Sequence, residues 1–190
     1  MFILKKKYFL IIDEVNNINL NNIKRSSKFI IIYRNNNLNQ NYSKLKYFRN
    51  KCKLKSVKFF VANNFKLANL LLADGIYLSA SNKTYRHLHY RKFRFSIIGS
   101  AHNTKEIYLK SKQKCDYILM SKLFKVDYDK KKEFLGTVKF NKYILNIKKK
   151  LIPLGGIKFK NLNHLTNNLS EGLALMTEIK KKPAILSRLF

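Results

Sequence analysis

Eight short apolar segments, spread over almost the whole chain, constrain the fold more than any other feature of the sequence. Each has four to six residues, is rich in Ile, Val, Leu, Phe or Tyr, and lacks strict alternation with polar residues. Such segments are typical of strands buried on both faces of a parallel sheet. They are Tyr8–Ile12, Phe29–Tyr33, Val57–Ala62, Gly75–Leu78, Phe95–Gly99, Asp116–Met120, Leu151–Gly155 and Gly172–Met176.

Segments with helical spacing lie between several of these predicted strands. In Leu38–Cys52, apolar residues recur at intervals of three and four, which places them on one face of a helix. Asn103 and Asn161 are candidates to begin two helices, because Asn can cap open backbone N–H groups. The remaining predicted helices are Phe65–Leu72, Thr104–Lys114 and Thr137–Lys149. The alternation predicts βαβ units.

Eight strands are the number that closes a (β/α)8 barrel. The predicted fold is therefore α/β, a small and trimmed TIM barrel that occupies residues 1–190 as one domain. The chain has 190 residues, fewer than the roughly 200 that the fold usually needs, so its helices must be short. An open doubly wound sheet with fewer strands is the alternative. The longest polar connection, from Ser121 to Leu135, is predicted to be a mobile loop.

The charge of the chain is strongly positive. It contains 40 Lys and Arg against 10 Asp and Glu, a formal net charge of +30. This excess is typical of a polyanion partner such as nucleic acid. Only seven of the cations are Arg, however, and Lys, Asn and Ile are all products of A/T-rich codons. Codon composition is thus favoured over a dedicated nucleic-acid surface. Weak non-specific nucleic-acid binding is still expected, and a basic nucleic-acid-binding accessory protein is kept as an alternative.

Several classes of protein do not fit the composition. Cys52 and Cys115 are too few for a disulfide scaffold, and no Cys/His cluster with zinc spacing is present. The longest apolar runs have about five residues, against roughly 20 for a membrane helix. At the N-terminus, Tyr8–Ile12 is too short for a signal peptide and is followed directly by two acidic residues. The expected location is the cytoplasm.

A Gly-Gly pair at the end of the seventh predicted strand is the clearest local signal of a binding site. Gly155 and Gly156 let the backbone approach a ligand closely, because neither carries a Cβ. In TIM barrels the loops after strands seven and eight often bind phosphate through backbone N–H groups. Met176 and Thr177, at the end of the eighth predicted strand, can complete such a pocket. A simple turn between strand and helix is the alternative.

Six short motifs, in order along the chain, resemble those of the thiamine phosphate synthase/TenI family. They are Tyr33-Arg34, Asn63-Asn64, Ala73–Leu78, Gly99–His102, Asp116–Phe124 and Pro153–Ile157. The resemblance extends from about Phe29 to Ile179. It implies a (β/α)8 barrel whose site lies at the carboxyl ends of the strands.

The resemblance also implies a chemistry. The synthase joins hydroxymethylpyrimidine diphosphate to thiazole phosphate, so the expected partners are small phosphorylated thiamine precursors. The TenI branch instead converts one thiazole phosphate tautomer into another by proton transfer. A non-catalytic barrel that binds a phosphorylated ligand is a third possibility.

The resemblance assigns expected roles to individual residues. Arg34 would pair with a phosphate and Ser100 would donate to a diphosphate. His102 is the candidate acid/base group. Lys122 occupies the position of the acid/base His of the tautomerase branch, where it can move a proton or bind phosphate.

The expected magnesium site departs from the family pattern. One of its two Asp aligns with Asn63 or Asn64, which are kept as candidate substrate-binding residues, and the other aligns near Asn82. Magnesium prefers carboxylates together with phosphate oxygens. Mg²⁺ is thus a possible cofactor that these amides are expected to hold poorly, and no residue is assigned as a metal ligand.

Overall fold

The computed structural model describes residues 7–23, 26–35, 41–86, 88, 95–126 and 133–176. Within these residues the eight predicted strands all form. They are β1 (Lys7–Ile12), β2 (Phe29–Tyr33), β3 (Lys58–Ala62), β4 (Gly75–Leu78), β5 (Ser96–Ala101), β6 (Tyr117–Ser121), β7 (Leu151–Leu154) and β8 (Gly172–Leu175). Each boundary agrees with the sequence-based prediction to within two residues.

The strands form one parallel sheet whose order follows the chain. Reading across it, β7 is followed by β6, β5, β4, β3, β2 and β1, and β8 pairs with β1. The two end strands lie next to each other, because the Ser170 hydroxyl just before β8 donates to the Leu151 carbonyl of β7 at 2.8 Å. The sheet is therefore a nearly closed (β/α)8 barrel. The doubly wound alternative is wrong, since it would reverse the strand order near its middle.

Alternating side chains along each strand explain the unbroken apolar runs. In β1, Phe9 and Ile11 point into the barrel, whereas Tyr8 and Leu10 point outward to the surrounding helices. All four are at most 1% exposed. A strand buried on both faces has no position for a polar residue along its length. The barrel interior contains Phe9, Ile11, Ile30, Ile32, Phe60, Tyr77, Ile98, Leu119, Ile152 and Ala174.

The helices are short, as the length of the chain requires. The described residues contain α1 (Tyr42–Leu54), α2 (Phe65–Leu70), α3 (Thr104–Lys112) and α4 (Gly136–Asn146). Asn103 caps α3, as predicted, by accepting a hydrogen bond from the Glu106 N–H at 2.9 Å. Asn161 does not begin a helix. It lies inside a 3₁₀ helix, Phe159–Leu165, that connects β7 to β8.

Two aspartates fix the register at the amino-terminal ends of the strands. Asp74, just before β4, accepts from the Phe59 N–H at 2.7 Å, and its own N–H donates to the Phe59 carbonyl. Asp116, just before β6, makes the same pair of bonds with Ile97, at 2.8 and 2.7 Å. Both aspartates belong to the sequence motifs. They lie at the amino-terminal end of the barrel, opposite the rim that the carboxyl ends of the strands form.

Three further expectations concern the remainder of the chain. Cys52 and Cys115 are buried and form no disulfide, and burial raises the pKa of the Cys52 thiol to about 12. No helix of the described residues is both long and apolar enough to cross a membrane. Within the predicted mobile loop, Ser121 to Leu135, residues 127–132 lie outside the described residues. Its first part is packed, because Leu123 is buried and its N–H donates to the Leu154 carbonyl.

Replacing Asp116 with Ala should destabilise the barrel. The variant leaves the Ile97 N–H without its charged acceptor, and we expect the free energy of unfolding to fall by about 2 kcal/mol in urea denaturation. Asp116→Asn keeps one acceptor oxygen and should recover most of that loss. Equal destabilisation by both variants would show that the hydrogen bond to Ile97 does not hold the register.

Candidate functional site

A cavity of about 710 Å³ opens at the carboxyl ends of the strands. Residues from the ends of six of the eight strands, or from the segments that follow them, line it. Its charged side chains are Arg34, Lys158 and Glu106, and its floor includes Leu154 and Ala174 from the barrel. Two cations above an apolar floor suit a small anionic molecule that has an apolar body.

Most of the site residues predicted from the sequence line this cavity. They are Arg34, Ser100, His102, Gly155, Gly156 and Met176. Parallel strands of a barrel all end at one rim, so residues far apart in sequence meet there. Thr177 lies outside the described residues.

Three predicted site residues are not among those that line the cavity. Asn64 caps α2, because its side-chain oxygen accepts from the Leu67 N–H at 2.9 Å. Asn63 bonds to the loop after β4 rather than facing the cavity. The backbone of Lys122 packs against neighbouring segments. Its carbonyl accepts from the Leu135 N–H, and its Cα would lie 3.3 Å from a Cβ added at Gly155. Ser121, the residue before it, lines the cavity.

The Gly155–Gly156 turn needs both glycines. Their φ angles are +90° and +69°, a backbone region that L side chains rarely adopt. A Cβ at Gly156 would lie only 2.4 Å from the Phe124 carbonyl oxygen. Asn161 holds the turn from its far side, since it accepts from the Lys158 N–H at 2.7 Å and donates to the Gly156 carbonyl at 2.8 Å. The turn therefore presents a fixed backbone surface to the cavity.

His102 and Ser121 form a polar pair across the ends of β5 and β6. The Ser121 hydroxyl and the His102 Nδ1 lie 2.9 Å apart, and both residues line the cavity. The His102 N–H donates to the Glu106 carboxylate at 2.7 Å, which holds the backbone of His102 against the first turn of α3. An imidazole bonded to a hydroxyl beside a cavity is a candidate group for proton transfer to or from a ligand.

A second polar group lies deeper, where Tyr77 meets Ser100 and Arg34. Tyr77 is 1% exposed, and burial raises the pKa of its phenol. A hydrogen bond with Ser100 and the charge of Arg34 act on this pKa in the opposite direction. The phenol consequently stays neutral and can offer a hydroxyl to a ligand beneath Arg34.

The residues at the expected magnesium position do not fit the ion. The Asn63 side-chain oxygen already accepts from the Ser79 N–H and from the Asn82 amide, both at 3.0 Å. The Asn82 oxygen accepts from the Thr84 N–H and hydroxyl, also at 3.0 Å. In the part of the chain that the structure describes, no group of three or more His, Cys, Asp or Glu could hold a metal ion. Magnesium prefers carboxylates and near-octahedral geometry, and this closed amide pair offers neither.

Sequence reasoning missed several residues of the cavity. Ser79 and Ser81 come just after β4, and this position after a predicted strand could have marked them as site residues. Tyr77 was hidden within an apolar run, and Lys158 was one lysine among many. The additional lining residues are Tyr77, Ser79, Ala80, Ser81, Glu106, Ser121, Val126, Leu154, Ile157, Lys158, Ala174 and Leu175.

The fold and the cavity together define a class: a (β/α)8 barrel protein with a ligand site at the carboxyl rim of its strands. Comparison with known proteins is more specific. A family model described as thiamine monophosphate synthase matches residues 13–179, which is most of the chain. The chain belongs to the thiamine monophosphate synthase family.

Individual relatives agree with this assignment. A thiamine-phosphate synthase of Prochlorococcus marinus is 32% identical over 136 residues, which are 69% of this chain and 38% of the relative. Another, from Actinobacillus pleuropneumoniae, is 27% identical over 135 residues, 69% of this chain and 62% of the relative. The matched region thus spans less than two thirds of either relative.

A solved structure shows the same fold. The thiamine phosphate pyrophosphorylase from Pyrococcus furiosus superposes with a TM-score of 0.74, at 19% sequence identity, over 97% of this chain and 93% of that one. At this identity the likeness is one of fold. It confirms the barrel that the eight apolar segments predict.

Replacing Asn161 with Ala should loosen the Gly155–Gly156 turn. The variant loses one bond to Lys158 and one to Gly156, and we expect inorganic phosphate to bind about tenfold more weakly in calorimetric titration. Asn163→Ala, in the same 3₁₀ helix but exposed, is the matched control and should bind phosphate normally. Unchanged binding in Asn161→Ala would mean that phosphate does not contact the turn.

Proposed function

We propose that this protein is a thiamine phosphate synthase, which joins hydroxymethylpyrimidine diphosphate to thiazole phosphate. The carbon–oxygen bond between the pyrimidine methylene and the diphosphate breaks, and the electron pair leaves with the diphosphate oxygen. The thiazole nitrogen then forms a bond to the cationic methylene. The products are thiamine phosphate and diphosphate. This chemistry belongs to the family named above, and the substrates are part of the proposal.

The observation that carries the proposal is the distribution of polar groups around the cavity. On one side, the Gly155–Gly156 turn and the end of β8 at Met176 offer backbone to one phosphate. In the strand order, the groups opposite these are Ser79 and Ser81 after β4 and Ser100 in β5, while Arg34 follows β2, between the two sides. Two phosphate-binding regions separated by an apolar floor suit two phosphorylated reactants.

The cations of the cavity would stabilise the leaving group. Negative charge develops on the diphosphate as the carbon–oxygen bond breaks, and Arg34 can bind it with two parallel hydrogen bonds. The Tyr77 phenol and the Ser100 hydroxyl line the same cavity and can donate to the same oxygens. These fixed groups require no rearrangement at the moment of reaction.

A second candidate function is the isomerisation of a thiazole phosphate tautomer. The hydrogen-bonded pair of His102 and Ser121 favours it, because proton transfer needs an acid/base group at the cavity and little else. Only one phosphate-binding region would then be used. The two functions differ in their requirement for pyrimidine diphosphate, so one assay separates them.

The test is to supply the purified protein with both substrates and to measure thiamine phosphate by chromatography. Each substrate alone is the control, and the thiazole phosphate control is also followed by absorbance for isomerisation. We expect product only when both substrates are present. Isomerisation without any thiamine phosphate would replace the synthase with the second candidate, and binding without either reaction would leave a ligand-binding barrel.

Arg34→Met should lower kcat/KM of the synthase reaction by roughly a hundredfold, because it removes a charged bidentate partner of the leaving diphosphate. Lys148→Met is the matched control. It also removes one positive charge, but from the exposed turn before β7, at the opposite end of the barrel. Equal losses in both variants would indicate a general effect of net charge rather than a contact with the diphosphate.

A further inference from the structure

A buried lysine supports the cavity from outside the barrel. Lys110, in α3, is 0% exposed. Its Nζ donates to the Ser79 carbonyl at 2.7 Å, to the Asn82 carbonyl at 2.8 Å and to the Gln113 side-chain oxygen at 3.0 Å. Three acceptors match the three N–H bonds of an ammonium, whereas a neutral amine would place its lone pair against one of these oxygens. The geometry therefore specifies the charged form.

The oxygens around Lys110 are two carbonyls and one amide, and none of them carries a formal charge. The nearest carboxylate on the same helix is that of Glu106, one turn earlier, which accepts from the His102 N–H and from the Asn103 amide. Burial lowers the pKa of Lys110, while Cys115 and Glu106 act in the opposite direction. A cation whose direct partners are uncharged raises the electrostatic potential around it, and most strongly where water is excluded.

Lys110 fixes the loop that faces the cavity. Ser79, Ala80 and Ser81 line the cavity, and the bonds from Lys110 hold both ends of this short segment. Gln113 adds bonds from its amide to the Asn82 and Thr84 carbonyls, at 3.1 and 2.7 Å. The ammonium thus lies directly behind the serines.

On its other side the same loop is closed by the pair of Asn63 and Asn82. Their amides bond to each other at 3.0 Å and do not suit magnesium, as described above. The loop therefore has no carboxylate pair that would attract a divalent cation, and it has an internal cation instead. The two features are complementary, since a metal ion held by carboxylates and an ammonium held by neutral oxygens each place a cation beside a phosphate.

We propose that this chain binds the phosphate groups of its substrate without a divalent cation, and that Lys110 supplies positive charge behind the loop Ser79–Asn82. Lys110 is a positioning residue, because it acts through the loop. The inference rests on the proposed function for the identity of the substrate. It concerns only how the phosphate groups are bound.

The first test uses inorganic pyrophosphate as the probe. Its affinity for the wild-type protein is measured by calorimetric titration at about 150 mM salt, where exposed charges more than about 8 Å apart are screened. One series contains a chelator and the other contains Mg²⁺. We expect the two dissociation constants to agree within about threefold, a difference below 1 kcal/mol. Binding that requires Mg²⁺ would overturn the proposal.

The second test removes the buried charge. Lys110→Met should weaken pyrophosphate binding about tenfold, whereas thiazole phosphate, bound at the Gly155–Gly156 side, should keep its affinity. Equal weakening of both ligands would indicate a general destabilisation of the barrel, and that result would overturn the role of Lys110 at the loop. The matched control is Lys112→Met, which removes an exposed lysine from the same helix and should change neither affinity.

The third test does not depend on the folding of the Lys110 variant. Asn82→Asp keeps the side-chain oxygen that accepts from Thr84. It replaces the NH₂ group that now donates to the Asn63 oxygen with a second carboxylate oxygen. We expect this variant to gain a Mg²⁺-dependent increase in pyrophosphate affinity. No response to Mg²⁺ would show that the amide pair is not what excludes the metal.

These outcomes are separable from the fate of the proposed function. If pyrophosphate fails to bind with or without Mg²⁺, the metal-independent site is wrong. Thiazole phosphate titration then decides independently whether the cavity binds a thiamine precursor at all.

Discussion

The register of the barrel depends on the hydrogen bonds that Asp74 and Asp116 make at the amino-terminal ends of β4 and β6. Each carboxylate accepts from a backbone N–H of the preceding strand, and the N–H of the same aspartate donates back to that residue. A slip by two residues would keep every side chain on its own face, so the apolar pattern alone does not select one register, and these bonds favour the observed one. Register decides which side chains reach the opposite rim, so the binding site depends on residues at the far end of the strands.

Helix α3 supports two neighbouring parts of the site, His102 and the loop after β4. Glu106, in its first turn, holds the backbone of His102, while Lys110 and the C-terminal cap residue Gln113 hold the loop after β4. The chain packs Lys110 close to Gly99, where a Cβ would lie 2.8 Å from the lysine side chain. A side chain at position 99 would thus displace the lysine stem, and the glycine of the β5 motif has a packing role in addition to its place in the family pattern.

The strands could be predicted from the sequence because burial on both faces leaves a local signal: five apolar residues in a row. The rim residues Arg34, Ser100 and His102 could be predicted because they come at or just after the ends of such runs and match motifs of the family that the sequence resembles. Lys110 could not, since a lysine in a helix is normally exposed and two of its three acceptors are distant in sequence. The role of Asn161 could not be predicted either. Its position in the sequence is typical of a helix cap, but its amide instead bonds back to the Gly155–Gly156 turn.

The net charge of +30 says little about the ligand by itself. Exposed lysines are screened over about 8 Å in physiological salt, so most of them contribute only to a diffuse attraction for anions. Of the described cationic residues, Arg34 and Lys158 line the cavity, and Lys110 lies behind it. Selective binding needs charges that are fixed and shielded from water, because only those distinguish a phosphate held at one orientation from any other anion. The position of these few cations, rather than the excess of lysine, therefore determines what the cavity can bind.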